Sequence, residues 1–147
     1  MRTMALDIGE RRIGVALGRP EDGVASPHTI IDAKSVADTA REIARIVEDW
    51  EVDHIVVGLP LSLSGEEGPQ ARHVRNRAQR LLDGTGLPVT FVDERHTSTD
   101  AKRILAEQGF SSRDSRGQVD AIAASLILEL HFDSMRSGTD KGECDGA

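Results

Sequence analysis

Near the start of the chain Met4, Leu6 and Ile8 alternate with Ala5 and Asp7, the period of an extended strand with two distinct faces. The next run, RIGVALG, lies beyond GERR, so the pair reads as a β-hairpin turned at Gly9. VASPHTII follows as a third strand in which Pro27 marks an edge or a bulge. The period then becomes helical. Val36, Ala40, Ile43, Val47 and Trp50 share one side, leaving Arg41, Glu42, Arg45, Glu48 and Asp49 for water. HIVVGLP is almost entirely apolar, the pattern of a parallel strand buried on both faces.

After the glycine-containing loop LSLSGEEGP, a helix is expected from about Gln70 to Leu82, with Ala71, Val74, Ala78, Leu81 and Leu82 inward and Arg72, Arg75, Arg77 and Arg80 outside the apolar arc. LPVTFVD is a further buried-type strand. Thr97 and Asp100 form a capping box for a helix through DAKRILAEQ that closes at Gly109. A last helix from Gln118 to about Met135 carries the stripe Val119, Ile122, Ala123, Leu126 and Leu130. Together these predict an α/β fold: a mixed sheet, antiparallel over its first three strands and parallel afterwards, with helices on both faces. One domain over residues 3–136 is expected, with 137–147 as a flexible tail.

The chain of 147 residues is long enough to bury a core without staples. Its 38% hydrophobic and 29% charged residues exclude the disordered and membrane-embedded classes. The opening MRTMALDIGE reads as a strand rather than a signal peptide, so the expected location is the cytoplasm. The single cysteine, Cys144, excludes an internal disulfide and a thiolate zinc site, leaving oxygen or histidine to hold any metal. Net charge is −7, but unevenly spread: residues 70–116 hold 9 basic against 6 acidic side chains, while residues 1–69 hold 7 against 13. A basic surface on an acidic body suits a local polyanion contact. With no Tyr, three Phe and one Trp, recognition is expected to rest on backbone charge and shape rather than on base stacking.

Three places concentrate acid in apolar surroundings. Asp7 lies in a strand too apolar for a wet edge, where either a bound cation or a hydrogen bond to the Gly9 turn would offset its burial. Asp93 and Glu94 adjoin at a strand end, so either a cation or Arg95 must separate their charges. Asp120 sits in the first turn of the last helix, which the helix dipole alone would favour, but the small residues of AIAAS after it let that helix approach the sheet. Carboxylates converging from a first strand, a late strand and a last helix suit Mg2+ or Mn2+ and two-ion hydrolysis of a phosphodiester.

The segments ALDIGERRIGVALG, IVVGLPLSLSGEEGPQA, VTFVDERHTSTDA and VDAIAASLIL, in this order, closely resemble the YqgF family of pre-16S rRNA nucleases, also described as Holliday-junction-resolvase-like, over about residues 3–132. The resemblance implies a ribonuclease-H-like fold and a metal-dependent endonuclease acting at the 5′ end of 16S rRNA, with the ribosome as a further partner. It implies Asp7, Glu94 and Asp120 as catalytic metal ligands and leaves the role of Asp93 open. Two positions depart from the family pattern. Ser62, Leu63 and Ser64 stand where an Asn is usual, and His96 where Leu is common. Candidates for contact with nucleic acid are Arg12, Ser64, Arg72, Arg75, Arg95, Lys102, Arg113 and Arg116.

Three other readings compete. A junction resolvase would use the same acids on branched DNA and need a homodimer rather than a monomer. A phosphate loop of the sugar-kinase type would need a second domain to close over ATP. An RNA-binding or transcription-associated module would retain the acids without using them.

Overall fold

The computed structural model describes residues 1–60, 67–93 and 118–137. Five strands form one sheet: β1 (Thr3–Ile8), β2 (Arg12–Arg19), β3 (Val24–Asp32), β4 (His54–Leu59) and β5 (Val89–Asp93). Among the described residues three α-helices pack on it, α1 (Val36–Asp49), α2 (Pro69–Leu82) and α3 (Gln118–Ser137). The strand order is β3-β2-β1-β4-β5. β1 pairs antiparallel with β2 and parallel with β4, and β4 pairs parallel with β5, as the sequence pattern predicted.

Pro27 is both at an edge and beside a bulge. β3 is the outer strand, and its register to β2 shifts between Val15 and Ala16, which pair with Thr29 and Pro27 and leave His28 as the extra residue. The helix starts follow local chemistry. Ser35 caps α1 by accepting from the amide of Asp38 at 3.1 Å, and α2 opens with Pro69 at its first position, where a missing N–H costs nothing.

The two faces of the sheet are packed differently. Toward α1 and α2 the core is made of large aliphatics, among them Met4, Leu6, Ile13, Val15, Ile43, Ile55 and Val57, all fully buried. Toward α3 it is made of Ala5, Ala16 and Val56 against Ala124, Ile127, Leu128 and Phe132. Here the sequence expectation is corrected: of the stripe Val119, Ile122, Ala123, Leu126 and Leu130, only Ala123 is buried, and Leu130 is 44% exposed. α3 is apolar around most of its circumference, so period alone does not select its inner face. The small residues of β2 select it. A methyl group added at Gly14 would overlap the backbone carbonyl of Asp120, so glycine there lets the start of α3 lie directly on the strand.

Below this contact, at the N-terminal end of β1, the α3 face is polar. Thr3 lies beside His54 in register, His54 Nε2 is 2.8 Å from Thr90 Oγ1, and the His131 ring meets that of His54 edge-on at 5.2 Å. Thr3 Oγ1 and His131 Nε2 are buried with no hydrogen-bond partner among the described residues. Burial holds both histidines below the ordinary imidazole range, and His54 lowers His131 further.

Candidate functional site

Asp7 pairs in register with Gly14, and strand alternation sets both on the α3 side with Ala5 and Ala16. Because Gly14 has no side chain, the first turn of α3 rests against it, carrying Asp120 to the position next to Asp7 across the strand pair. Two acids far apart in sequence thus meet on one face, at the C-terminal end of β1. Both are partly buried. Burial raises the Asp120 carboxyl above the usual carboxylate range, and the Arg12 guanidinium partly opposes that rise.

Arg12 begins β2 on the same face. Its Nε lies 3.2 Å from Asp120 Oδ2, with side-chain exposures of 39% for Arg12 and 26% for Asp120. The turn between Asp7 and Arg12 is closed by its own backbone, the Gly9 N–H donating to the Arg12 carbonyl at 2.9 Å. From the other side of the sheet, Arg77 Nη1 of α2 donates to the Gly9 carbonyl at 2.6 Å. Pattern reading placed Arg77 outside the apolar arc of the helix and assigned it no such role. The only sequence signal is its place at the margin of the apolar arc.

Arg75 is committed elsewhere. Its Nε and Nη2 donate to Glu67 Oε2 and Oε1 at 3.1 and 2.7 Å, and its guanidinium lies 4.4 Å from the Phe91 ring centroid. Arg75, and to a lesser extent Arg72, hold the Glu67 carboxyl below its usual range. Arg72 is exposed one turn earlier on α2. Asp93 does not join Asp7 and Asp120. It alternates with Val89 and Phe91 on the α1/α2 side, opposite to Val92. Glu94, Ser64, Arg95, His96, Lys102, Arg113 and Arg116 lie outside the described residues, as does the helix expected through 97–109.

The chemistry of the donors fits a hard divalent cation: two carboxylates, no sulfur, and an acid whose burial a cation would offset. Among the described residues no three His, Cys, Asp or Glu side chains cluster as metal ligands. Asp7 and Asp120 supply two, and the third expected acid, Glu94, is outside. Nor do the described residues include a helix long and apolar enough to cross a membrane.

A five-stranded mixed sheet with acids on the first strand and at the start of the last helix defines the ribonuclease-H-like class, and solved structures agree on the fold. Thermus thermophilus RuvC, in a structure with a Holliday junction substrate, superposes with a TM-score of 0.57 at 13% identity over 95% of this chain and 97% of its own. The fowlpox virus Holliday junction resolvase gives 0.54 at 13% identity, over 91% and 99%. The chain belongs to the RuvX family, described as Holliday junction resolvase, whose model matches residues 1–134. This is the YqgF group that the sequence motifs resemble. A relative from Roseiflexus sp. (strain RS-1), provisionally named a pre-16S rRNA nuclease, is 42% identical over 135 residues, 92% of this chain and 96% of the relative. One from Anaeromyxobacter sp. (strain Fw109-5), with the same name, is 43% identical over 133 residues, 90% and 97%. The protein is accordingly an enzyme of the hydrolase class, a nuclease acting on nucleic acid.

Proposed function

We propose that this nuclease is a divalent-metal-dependent endonuclease that matures the 5′ end of 16S rRNA, with Asp7, Glu94 and Asp120 as its catalytic acids and metal ligands. The observation that carries this reading is the convergence of Asp7 and Asp120 on one face through the close approach at Gly14. The names of the full-length relatives support the RNA substrate.

When bound, Mg2+ or Mn2+ would neutralise the scissile phosphate and ease formation of a nucleophile from water. Asp7 lies in a central strand paired with Gly14, and the close approach at Gly14 carries the start of α3, with Asp120, onto the same face. Arg12 and the exposed Arg72 supply positive charge for the phosphate backbone, with Ser64, Arg95, Lys102, Arg113 and Arg116 as further proposed contacts. The ribosome is the proposed setting and the cytoplasm the proposed compartment.

The test is cleavage of an end-labelled precursor 16S rRNA 5′ segment with Mg2+ or Mn2+, comparing wild type with Asp7→Asn. Metal-dependent cutting that the variant loses, with its circular dichroism unchanged, supports the reading. Equal cutting by the variant removes Asp7 from the mechanism. The family description favours one second reading, cleavage of branched DNA. Symmetric cutting of a four-way junction, with the RNA left intact, would establish it in place of the first.

A further inference from the structure

We propose that Arg12 makes metal loading depend on nucleic acid: without substrate its guanidinium occupies Asp120, and a backbone phosphate draws it away so that a cation can take its place. The proposal rests on the metal-dependent nuclease reading and adds a regulatory contact to that site.

Three observations carry it. First, the Arg12–Asp120 pair joins the first residue of β2 to the first turn of α3, at the point where Asp7 also lies. A guanidinium there serves the charge of Asp120 in the way a metal ion would. Second, the Arg12 Nε stands 3.2 Å from Asp120 Oδ2, so this carboxylate already has a cation in direct contact. A second cation arriving at the same carboxylate meets a like charge within a few ångströms, and each weakens the other's hold. Third, the Arg12 side chain is more exposed than its partner, 39% against 26%, and stands at a strand end beside a tight turn, so a phosphate can reach it from solvent. The planar fork of arginine pairs with phosphate oxygens as readily as with carboxylate.

When a phosphodiester enters, it brings negative charge that both cations favour. Arg12 then pairs with phosphate, Asp120 is released to the metal, and the mutual repulsion becomes a shared attraction to the substrate. Metal and nucleic acid consequently bind with positive coupling, and by linkage each raises the affinity for the other equally. In this role Arg12 is a positioning residue that acts through Asp120.

The experiment measures Mn2+ binding to the full chain by the loss of the free-ion electron paramagnetic resonance signal, in wild type, Arg12→Gln and Arg12→Lys. Asp7→Asn and Asp120→Asn report whether the signal belongs to this site, and a thermal melt confirms that each variant is folded. In parallel, fluorescence anisotropy of a labelled single-stranded RNA is read in EDTA and in Ca2+, which takes the same oxygen donors. The expected result is Mn2+ binding tighter by roughly three- to tenfold in Arg12→Gln, with the gain shrinking as salt screens the repulsion. Arg12→Lys, a compact cation, should stay near wild type. Ca2+ should strengthen RNA binding by at least about fivefold in wild type, a typical lower bound for coupled sites, and by less in Arg12→Gln.

Equal or weaker Mn2+ binding in Arg12→Gln would overturn the proposal and make Arg12 a simple support for Asp120. Wild type that binds no Mn2+ even with the RNA present, or whose binding survives both Asp7→Asn and Asp120→Asn, would overturn the metal reading itself, and the proposal with it.

Discussion

Gly14→Ala replaces one hydrogen with a methyl group, yet it is expected to damage both stability and cleavage. The new methyl would occupy the space of the Asp120 carbonyl and crowd the Ala121 amide, which are backbone atoms that no rotamer change can move. α3 must therefore retreat by roughly 1.5 Å to restore ordinary van der Waals distance. That retreat loosens Ala124, Ile127, Leu128 and Phe132 from Ala5, Ala16 and Val56. Overpacking of this kind costs about 1–3 kcal/mol. For catalysis the shift matters more, because Asp120 moves with α3 while Asp7 stays in the sheet. A misplacement near 1 Å costs on the order of a hundredfold in rate. Urea unfolding monitored through Trp50 gives the stability loss, and single-turnover cleavage of labelled RNA gives the rate. Gly84→Ala, with nothing within 4 Å of the added methyl, is the control and should stay within about 0.5 kcal/mol of wild type. A Gly14→Ala protein whose unfolding midpoint and cleavage rate both match the control would refute the close-approach argument.

Acid should weaken the fold through His54 and His131. Their folded values lie below the ordinary imidazole value, so the unfolded chain binds more protons, and stability is full above about pH 6.5 and falls as pH drops through the depressed folded values. Urea midpoints between pH 5 and 8 should show this slope, and a His131→Leu variant with an unchanged slope would exclude the pair as its source. Arg75→Lys should lose the planar stack on Phe91, worth about 0.5–1 kcal/mol, and a midpoint equal to wild type would show that the stack contributes nothing. Arg77→Ala should lower cleavage more than it lowers RNA affinity, because it frees the turn that follows Asp7. Anisotropy set beside single-turnover rates separates the two, and a loss confined to affinity would count against that role.

The architecture was legible because each strand announced its environment. The mixed alternation of β1, the near-continuous apolar run of β4 and Pro27 in β3 each state where the strand lies in the sheet. The inner face of α3 was not legible, since a helix apolar on most sides leaves the choice to its partner, and Gly14, Ala16 and Gly18 made that choice from another part of the chain. Within the site, the meeting of Asp7 and Asp120 followed from strand order and small residues. The assignment of Arg75 to Glu67 and Phe91, and of Arg77 to the Gly9 carbonyl, depends on tertiary contacts that no spacing encodes. The role of Asp93 was left open by the motifs, because alternation in VTFVD groups it with Val89 and Phe91 without saying which face of the sheet they take, and the packing of those two against α1 and α2 decides it.

The outer strand β3 has a bearing on solubility. An exposed strand edge offers its backbone to any other extended chain, including a second copy during synthesis. Pro27 removes one N–H from that row, and the register shift that leaves His28 unmatched twists the strand at the same place. A neighbouring chain cannot continue the ladder past this point without breaking it. Aggregation by sheet extension is thereby discouraged on the β3 side. Any pairing of two copies that a four-way junction demanded would have to be made by a different surface.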